Sequence, residues 1–282
     1  MRAAYIILVV CICAAVLISH ERCEYDASFV PMPLDIVNMM LELAGVTPED
    51  TVFDLGCGDG RVVISAAALG ARGVGIDIDA SMISESEENA KLIGVEDRVK
   101  FFQTDFFQVP LAKASVVTIY LLPEVNIKLR PKLLNELKPG ARIVSHDFDM
   151  GEWIADTAVN TEKSVMYLWI VPANVSGTWS WYYGDKTGKS YSMCISQKYQ
   201  HLSGNITNSS GGSVTFKELE LRGEKIRIVI DEGNKGRTIL SGTVKENSIE
   251  GTAVLPNGSK QKWCASRNVS TMAPIFFPDG GI

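Results

Sequence analysis

Two kinds of hydrophobic pattern alternate along residues 51–148. Short, unbroken apolar runs, namely TVFDL, RGVGID, VKFFQTD, SVVTIYLL and ARIVSHDF, are typical of strands that are buried on both faces. Between them, RVVISAAAL, ASMISESEENAKLIG and KLRPKLLNEL carry apolar residues at helical spacing, as does an upstream segment that contains Ile36 and Met40. The alternation predicts an α/β fold, a parallel sheet with helices on both faces, closed near Val171 by the run SVMYLWIV.

Beyond Pro172 the pattern changes to an alternation with a period of two. Runs of this kind, from GTWSWYYG to KQKWCAS, are separated by turn sequences such as DEGNKG and LPNGSK. They predict a C-terminal all-β antiparallel meander, a small barrel or sandwich, over residues 174–270, with a tail at 271–282. Cys194 and Cys264 lie on its predicted strands, where they either form a disulfide, if the protein is exported, or pack as small buried hydrophobes.

Residues 1–24 place Arg2 ahead of a long apolar run that ends in mixed charges. The run is long for the core of a signal peptide and short for a full membrane span. We therefore expect a membrane anchor, with the side of the membrane left open, or an export signal whose cleavage releases the protein. Arg2 before the run and the acids Glu21 and Glu24 after it favour an N-terminus that stays inside.

Composition narrows the choice of partners. A hydrophobic share of 46% is ample for a core, and a net charge of −6 argues against a nucleic-acid partner. The histidines, His20, His146 and His201, lie far apart in the sequence. We therefore predict no metal site and chemistry that needs no bound metal.

A glycine-rich turn, GCGDG at residues 56–60, joins the first predicted strand to the helix that follows it. Glycine admits positive φ and lets a ligand approach the backbone, while the N-terminus of the next helix offers unpaired N–H donors. A nucleotide-like ligand fits such a turn. The glycines follow a G-x-G-x-G spacing with Asp54 two residues ahead, which departs from the G-x-G-x-x-G spacing of dinucleotide-binding proteins.

Two further acids follow at the ends of the next predicted strands. Asp77 ends the second strand, where a carboxylate accepts both hydroxyls of a ribose. Asp105 ends the third strand and is placed to reach the exocyclic amine of an adenine. An acid, a glycine turn and two more acids at successive strand ends closely resemble the layout of class I S-adenosylmethionine (SAM) methyltransferases. The resemblance implies a Rossmann-like sheet and SAM as the cofactor.

Over residues 29–153 the chain is similar to the mitochondrial lysine methyltransferases that act on the adenine nucleotide translocase and on the c subunit of ATP synthase, and to their bacterial relatives. This resemblance implies a membrane-tethered methyltransferase, with its catalytic domain at 25–173, that N-methylates lysine side chains of a protein acceptor. The SAM contacts that it implies are Asp54, Gly56, Cys57, Gly58, Asp77, Ile78, Asp105 and Phe106. The β-domain lies outside the resemblance.

The segment after the fourth predicted strand, YLLPE, normally holds residues that face the methyl acceptor. It lacks the N/D-P-P-Y/F motif that grips an exocyclic amine of DNA, which again argues against a nucleic-acid acceptor. A lysine ammonium must lose its proton before its nitrogen can attack, so positioning and desolvation carry most of the rate. We predict Tyr120, Glu124 and His146 as the catalytic residues that position the amine, with Asp147 and Asp149 close by.

The predicted β-domain keeps two other functions open. The protein is alternatively a small-molecule methyltransferase with the β-domain as a lid, or an exported, non-catalytic binding protein whose barrel holds an apolar ligand. The opening GTW and the late Arg267 resemble the lipocalin barrel, in which a tryptophan near the start packs under a late arginine. That resemblance implies contact between Trp179 and Arg267.

Overall fold

The computed structural model describes residues 30–162, 164–182, 190–231 and 233–275. The predicted signal or anchor, residues 1–24, lies outside the described residues, so it stays a prediction. Within the described ranges, no helix combines the length and the apolar character that crossing a membrane requires.

The first half of the described chain forms a seven-stranded sheet flanked by helices. Its parallel strands are β1 Thr51–Leu55, β2 Arg72–Asp77, β3 Val99–Gln103, β4 Val116–Ile119 and β5 Arg142–His146. The strands β6 Thr157–Asn160 and β7 Val165–Ile170 are added antiparallel. The helices are α1 Leu34–Leu43, α2 Arg61–Ala68, α3 Ala80–Ile93 and α4 Pro123–Glu136.

The strand order is β3-β2-β1-β4-β5-β7-β6, so β1 lies between β2 and β4, where the direction of winding reverses. One face of the sheet packs against α1 and α2 through residues such as Met40 and Val62, and the other packs against α4 through Leu129 and Leu133. The predicted Rossmann-like sheet with helices on both faces is thereby confirmed. In such sheets ligands bind at the carboxyl ends of the strands, beside the reversal point.

Two elements of the sheet differ from the prediction. The helix predicted over KLRPKLLNEL begins five residues earlier, at Pro123, because proline suits the first helical position, where its missing N–H has no partner to lose. The run SVMYLWIV forms β7 but does not close the sheet, since β6 pairs with it and occupies the edge. Three of the four residues of β6 are exposed, so it carries no apolar pattern that would have revealed it.

The second half of the described chain is a closed eight-stranded barrel, the barrel alternative of the two architectures predicted. Its strands are β8 Gly177–Tyr182, β9 Ser190–Lys198, β10 His201–Asn208, β11 Ser213–Arg222, β12 Lys225–Asp231, β13 Arg237–Lys245, β14 Ser248–Val254 and β15 Lys260–Asn268. Buried aromatic and aliphatic residues fill its interior, among them Trp179, Trp181 and Trp263. An eight-stranded barrel is just wide enough for side chains to fill.

The two barrel cysteines correct both of the expectations stated for them. Cys194 and Cys264 are exposed on the outer face of the barrel and both are free thiols, so they are neither buried hydrophobes nor a disulfide. Strand β8 runs between their strands, and Cys194 is level with Thr178 while Cys264 lies beyond the partner of Trp181, so the two Cα atoms are more than two inter-strand spacings, about 9.6 Å, apart, whereas disulfides need them within about 7 Å.

The contact implied by the lipocalin resemblance is present. The guanidinium carbon of Arg267 lies 5.0 Å from the ring centroid of Trp179. Arg267 also donates hydrogen bonds to the backbone oxygens of Asn174 and Glu246, at 2.8 and 2.9 Å. The guanidinium therefore lies over the indole of a buried barrel residue and is held there by the backbone.

Among the described residues, the barrel contributes one, Tyr199, to the core of the sheet domain. Tyr199, in the turn between β9 and β10, is 1% exposed and belongs to the same hydrophobic cluster as Trp153 and Trp169. The predicted boundaries of the two domains, 25–173 and 174–270, stay a prediction, but the buried packing of the first extends to this residue of the second.

Candidate active site

The glycine-rich turn wraps around the carboxyl end of β1. Gly56 and Gly58 have φ values of +83° and +52°, in the left-handed region that favours glycine. The N–H groups of Gly56 and Cys57 both donate to the carbonyl of Ile76 on β2, at 2.8 and 2.9 Å. Cys57 is buried, and burial raises the pKa of its thiol far above the ordinary value, so the thiol stays protonated at neutral pH.

Asp77 ends β2 as predicted and faces this turn. Its Oδ2 accepts a hydrogen bond from the N–H of Gly58 at 2.9 Å, and its Oδ1 accepts one from the N–H of Asp79 at 3.0 Å. The two bonds fix the direction of the carboxylate, and each oxygen keeps a further lone pair for another donor. The carboxylate is half-buried and open on one side. It can therefore accept the hydroxyls of a ribose.

Asp54 lies beneath the turn and is only 5% exposed. The hydroxyl of Thr118 on β4 donates to its Oδ1 at 2.7 Å. Burial, with smaller contributions from the charges of Asp77 and Asp59, raises the pKa of Asp54 to about 7 although the bond from Thr118 acts in the opposite direction. A cationic group bound nearby would favour the charged carboxylate.

Asp105 is placed differently from the prediction, which put it at the end of the third strand. Strand β3 ends at Gln103, so Asp105 lies two residues beyond the strand and not at its end. Its carboxylate accepts the N–H of Phe107 at 2.8 Å and caps the single 3₁₀ turn Phe106–Gln108. Ile78, directly after β2, is 65% exposed and offers an uncovered apolar surface at the same edge of the sheet.

An aromatic pair lies at the ends of β4 and β5. The ring centroids of Tyr120 and His146 are 4.4 Å apart, and Phe148 stacks on Tyr120 at 6.2 Å with an interplanar angle of 16°. His146 is 5% exposed, and within the described part of the chain neither of its ring nitrogens has a hydrogen-bond partner. Its Nε2 lies 3.6 Å from the carboxylate of Asp147.

Burial lowers the pKa of His146 below its ordinary value, with the charge of Asp147 acting in the opposite direction. The imidazole therefore favours its neutral form. Burial, followed by the charge of Asp147, raises the pKa of Tyr120, so the phenol keeps its proton. Asp147 adopts a left-handed φ of +62°, and its backbone N–H and carboxylate both bond to Val165, which fixes it beside the histidine.

Glu124 is separate from this pair. It lies in the first turn of α4 with its side chain exposed, and no described residue makes a hydrogen bond or ion pair with it. The structure thus brings two of the three predicted catalytic residues together and leaves the third at the surface. All three roles stay predictions.

Comparison with known proteins places these features in a family. A family model described as the ANTKMT methyltransferase domain matches residues 54–157, which include the turn, Asp77, Asp105 and the Tyr120–His146 pair. A protein-lysine N-methyltransferase of Saccharolobus islandicus is 41% identical over 149 residues, which are 51% of this chain and 92% of that relative. This chain belongs to the methyltransferase family.

Two further relatives of the methyltransferase are informative. The adenine nucleotide translocase lysine N-methyltransferase of Mus musculus is 34% identical over 129 residues, 45% of this chain, and the match covers about half of that relative, 55%. A crystal structure described as an RNA methyltransferase from Salinibacter ruber in complex with S-adenosyl-L-homocysteine is 51% identical, with a TM-score of 0.51. The match covers 52% of this chain and 96% of that one.

The cofactor of the methyltransferase is SAM, and the residues present fit it. The left-handed glycines leave room for close approach to the backbone, the oriented Asp77 carboxylate suits a ribose, and the exposed Ile78 suits the face of an adenine. No group of three or more His, Cys, Asp or Glu side chains that could hold a metal occurs among the described residues. The expectation of metal-free chemistry stays a prediction.

Sequence reasoning missed several residues that support this methyltransferase site. Thr118 bonds to Asp54, and the hydroxyl of Ser86 on α3 donates to the carbonyl of Gly58 at 2.7 Å. Asn126 on α4 donates to the carbonyls of Phe148 and Asp149, both at 3.2 Å. Thr118 was detectable as a polar residue within the otherwise apolar run of β4, whereas Ser86 and Asn126 lie on helices where polar residues are ordinary.

Proposed function

We propose that this methyltransferase transfers a methyl group from SAM to the side-chain nitrogen of lysine residues in a protein acceptor. The observation that carries the proposal is the Tyr120–His146 pair, an aromatic wall with an uncharged, unpartnered imidazole at the carboxyl ends of β4 and β5. The similarity to a protein-lysine N-methyltransferase over 92% of that relative's length supports the same acceptor class.

SAM supplies an electrophilic methyl group on a good leaving group, so the chain's own residues have a limited task. Asp77 orients the cofactor through its ribose, and the glycine turn admits it close to the backbone. The rings of Tyr120 and Phe148 exclude water around the incoming amine, which lowers the cost of losing its proton. The neutral imidazole of His146 positions the deprotonated amine for in-line attack, its proton having passed to bulk water.

A protein acceptor also agrees better than RNA with the charge of the chain. The net charge is −6, and a nucleic-acid surface is normally basic. The Salinibacter relative is described as an RNA methyltransferase, so methylation of RNA is the outcome that the experiment must be able to reveal.

We further propose that residues 1–24 tether the enzyme to a membrane, with the acceptor within reach of the tethered domain. The long apolar run after Arg2 supports this. Cell fractionation of the full chain and of a chain that lacks residues 1–24 tests it. Recovery of both in the same soluble fraction contradicts tethering.

The acceptor is tested by incubating the full chain with methyl-labelled SAM and, separately, with total protein and total RNA from the source cells. We expect label in the protein fraction that protease releases and ribonuclease does not, and methyl-lysine after acid hydrolysis. A His146→Gln variant should bind SAM as the wild type does but transfer label at least about tenfold more slowly. Label only in RNA, or protein label that yields no methyl-lysine, overturns the proposal.

A further inference from the structure

The turn between β9 and β10 is held firmly by the barrel. Tyr199 adopts a left-handed φ of +54°, and its N–H donates to the carbonyl of Ile275 at 2.8 Å. The buried amide of Gln197 donates to the carbonyl of Tyr199 at 2.7 Å. A bulky residue in this conformation persists only when its surroundings fix it, so the turn is a rigid projection of the barrel.

This projection contacts the loop that follows β5, residues 147–156, here called the β5–β6 loop. The rings of Tyr199 and Trp153 stack at 5.9 Å with an interplanar angle of 13°. Next to them, the side chain of Gln200 accepts from the indole N–H of Trp153 at 3.0 Å and donates to the carbonyl of Ile154 at 2.6 Å. The turn between β9 and β10 thus contacts two consecutive residues of the loop, Trp153 and Ile154.

A second contact runs through helix α4. The guanidinium carbon of Arg130, a residue that is 2% exposed, lies 5.7 Å from the ring centroid of Tyr199. Its Nη1 donates to the carbonyl of Met150 at 2.9 Å. A cation over an aromatic face within about 6 Å is attracted to it, so Tyr199 helps to hold Arg130 where it bonds the loop.

The other end of the same loop forms the aromatic wall. Phe148 stacks on Tyr120, and Asn126 holds the carbonyls of Phe148 and Asp149. Tyr199 and Gln200 therefore fix residues 150–154 of the loop, while residues 147–149 of the same loop line the acceptor side. Because residues 150–154 directly follow residues 147–149 in the chain, a shift of the former is expected to move the latter.

We propose that Tyr199 is a positioning residue for methyl transfer, and that the barrel acts on the reaction by holding the β5–β6 loop against the Tyr120–His146 pair. The effect falls on the acceptor side and not on SAM, because the cofactor residues lie on the glycine turn and on β2. This inference rests on the proposed function for the chemistry at the wall but does not depend on which acceptor is methylated.

The test compares full-length wild type with Tyr199→Ala, Tyr199→Phe and a matched control, Tyr191→Ala. Tyr191 is also buried and also stacks on a tryptophan, Trp181, at 5.3 Å and 10°, but it lies within the barrel interior, away from the loop. Amide hydrogen exchange over 147–156, SAM affinity by calorimetry and the rate of label transfer are measured for each. Transfer is followed in whichever fraction, protein or RNA, the wild type labels.

We expect Tyr199→Ala to raise exchange across 147–156 and to slow transfer at least fivefold, with SAM affinity within twofold of the wild type. Tyr199→Phe keeps the ring, so exchange over 147–156 and the transfer rate should stay near those of the wild type. Tyr191→Ala should lower overall stability without a specific change in exchange over 147–156 or in the transfer rate. If Tyr199→Ala does not fold, Gln200→Ala, which opens no large cavity, should show the same pattern more weakly.

Unchanged exchange over 147–156, or an equal effect of Tyr191→Ala, overturns the positioning role. Label in RNA in place of protein overturns the proposed acceptor and leaves the positioning role standing, so the two failures are distinguishable.

Discussion

The two sheets of this protein differ in closure: the first is open and carries the candidate site, and the second closes into a filled barrel. The open sheet carries the candidate site residues at the carboxyl ends of its parallel strands, where the half-buried Asp77 and the buried imidazole of His146, which has no hydrogen-bond partner among the described residues, lie. The barrel closes on itself and fills its interior with large side chains such as Trp179 and Trp263. The carboxyl ends of the open sheet hold the candidate site, whereas the closed barrel forms a packed support.

The glycines of the two sheets also differ in what they allow. In the open sheet, Gly56 and Gly58 take left-handed conformations in the turn after β1, where the cofactor is expected. In the barrel, a Cβ built on Gly242 would lie 2.8 Å from Ile249 and 2.9 Å from the ring of Trp263, so this glycine makes room for internal packing. Substitution at the first kind of glycine should affect binding, and substitution at the second kind should affect stability.

The largest expected effect comes from separating the two regions. A chain that ends after Ala173 keeps all seven strands of the open sheet but loses Tyr199 from its core, which leaves Trp153 and Trp169 uncovered. We expect the remaining domain to be less stable than the full chain by about 3–5 kcal/mol, the usual cost of removing a large buried aromatic side chain. Denaturant unfolding checks this. Equal midpoints for the two chains would show that the domains are independent.

The glycine contrast is tested by Gly58→Val and Gly242→Val. A β-branched residue at φ +52° is strained and fills the turn, so we expect SAM affinity to fall about a hundredfold in Gly58→Val. Gly242→Val should leave SAM affinity unchanged and destabilise the barrel by about 1–3 kcal/mol through overpacking. Calorimetry and thermal unfolding of both variants give the comparison. Weaker SAM binding in Gly242→Val would contradict the division of roles.

Asp77 and Asp79 differ in what their carboxylates contact, and this difference can be tested. Asp77 faces the glycine turn, whereas Asp79 caps α3 by accepting the N–H of Ser81 at 2.8 Å. Charged hydrogen bonds contribute about 1.5–3 kcal/mol each, so Asp77→Ala should weaken SAM binding at least about tenfold. Asp79→Ala should reduce thermal stability and leave SAM affinity unchanged. The reverse result would mean that the ribose is bound by Asp79.

The smallest predicted effect concerns pH and Asp54. Its pKa of about 7 means that the carboxylate forms only as the pH rises through neutrality. If this carboxylate holds the cationic part of SAM, affinity should increase by up to about tenfold between pH 6 and pH 8. Asp54→Asn should remove most of that dependence, as calorimetry at several pH values can show.

The raised pKa of Asp54 also predicts how the stability of the folded protein changes with pH. The pKa of Asp54 is higher in the folded chain, about 7, than its ordinary value of 3.8, so the folded state binds the proton more tightly. The stability that this proton contributes is present at acidic pH and is lost as the pH rises toward 7. Thermal unfolding should therefore show a steeper loss of stability across that range in the wild type than in Asp54→Asn. A steeper loss in the variant would reverse the assignment.

Local patterns were sufficient to predict most of the fold. The strands around Asp54 and Asp77 are short apolar runs, and the barrel strands alternate with a period of two, so both are visible within a few residues. The same period could have placed Cys194 correctly, because its neighbours Met193 and Ile195 face inward and alternation then sends Cys194 outward. The error there was one of applying the pattern, not one of missing information.

Other features depend on contacts that no local pattern contains. Strand β6 exists only because β7 offers it an edge to pair with. The stacking of Tyr120 on His146 joins two strands that lie far apart in the sequence, and Glu124 was grouped with them only because it follows β4 closely. The insertion of Tyr199 joins two domains. Spatial neighbours of this kind follow from the assembled fold.

The placement of Tyr199 has a consequence for the order in which the protein forms during synthesis. All seven strands of the open sheet have left the ribosome once Ile170 has emerged, yet the core of that sheet still lacks a residue that is made 29 positions later. At about 5–20 residues per second, the nascent sheet waits only a few seconds for the tyrosine, but its turn is held in place by the later residue Ile275. The contacts that the barrel turn makes with the β5–β6 loop therefore form only after residues far downstream of the open sheet have been translated.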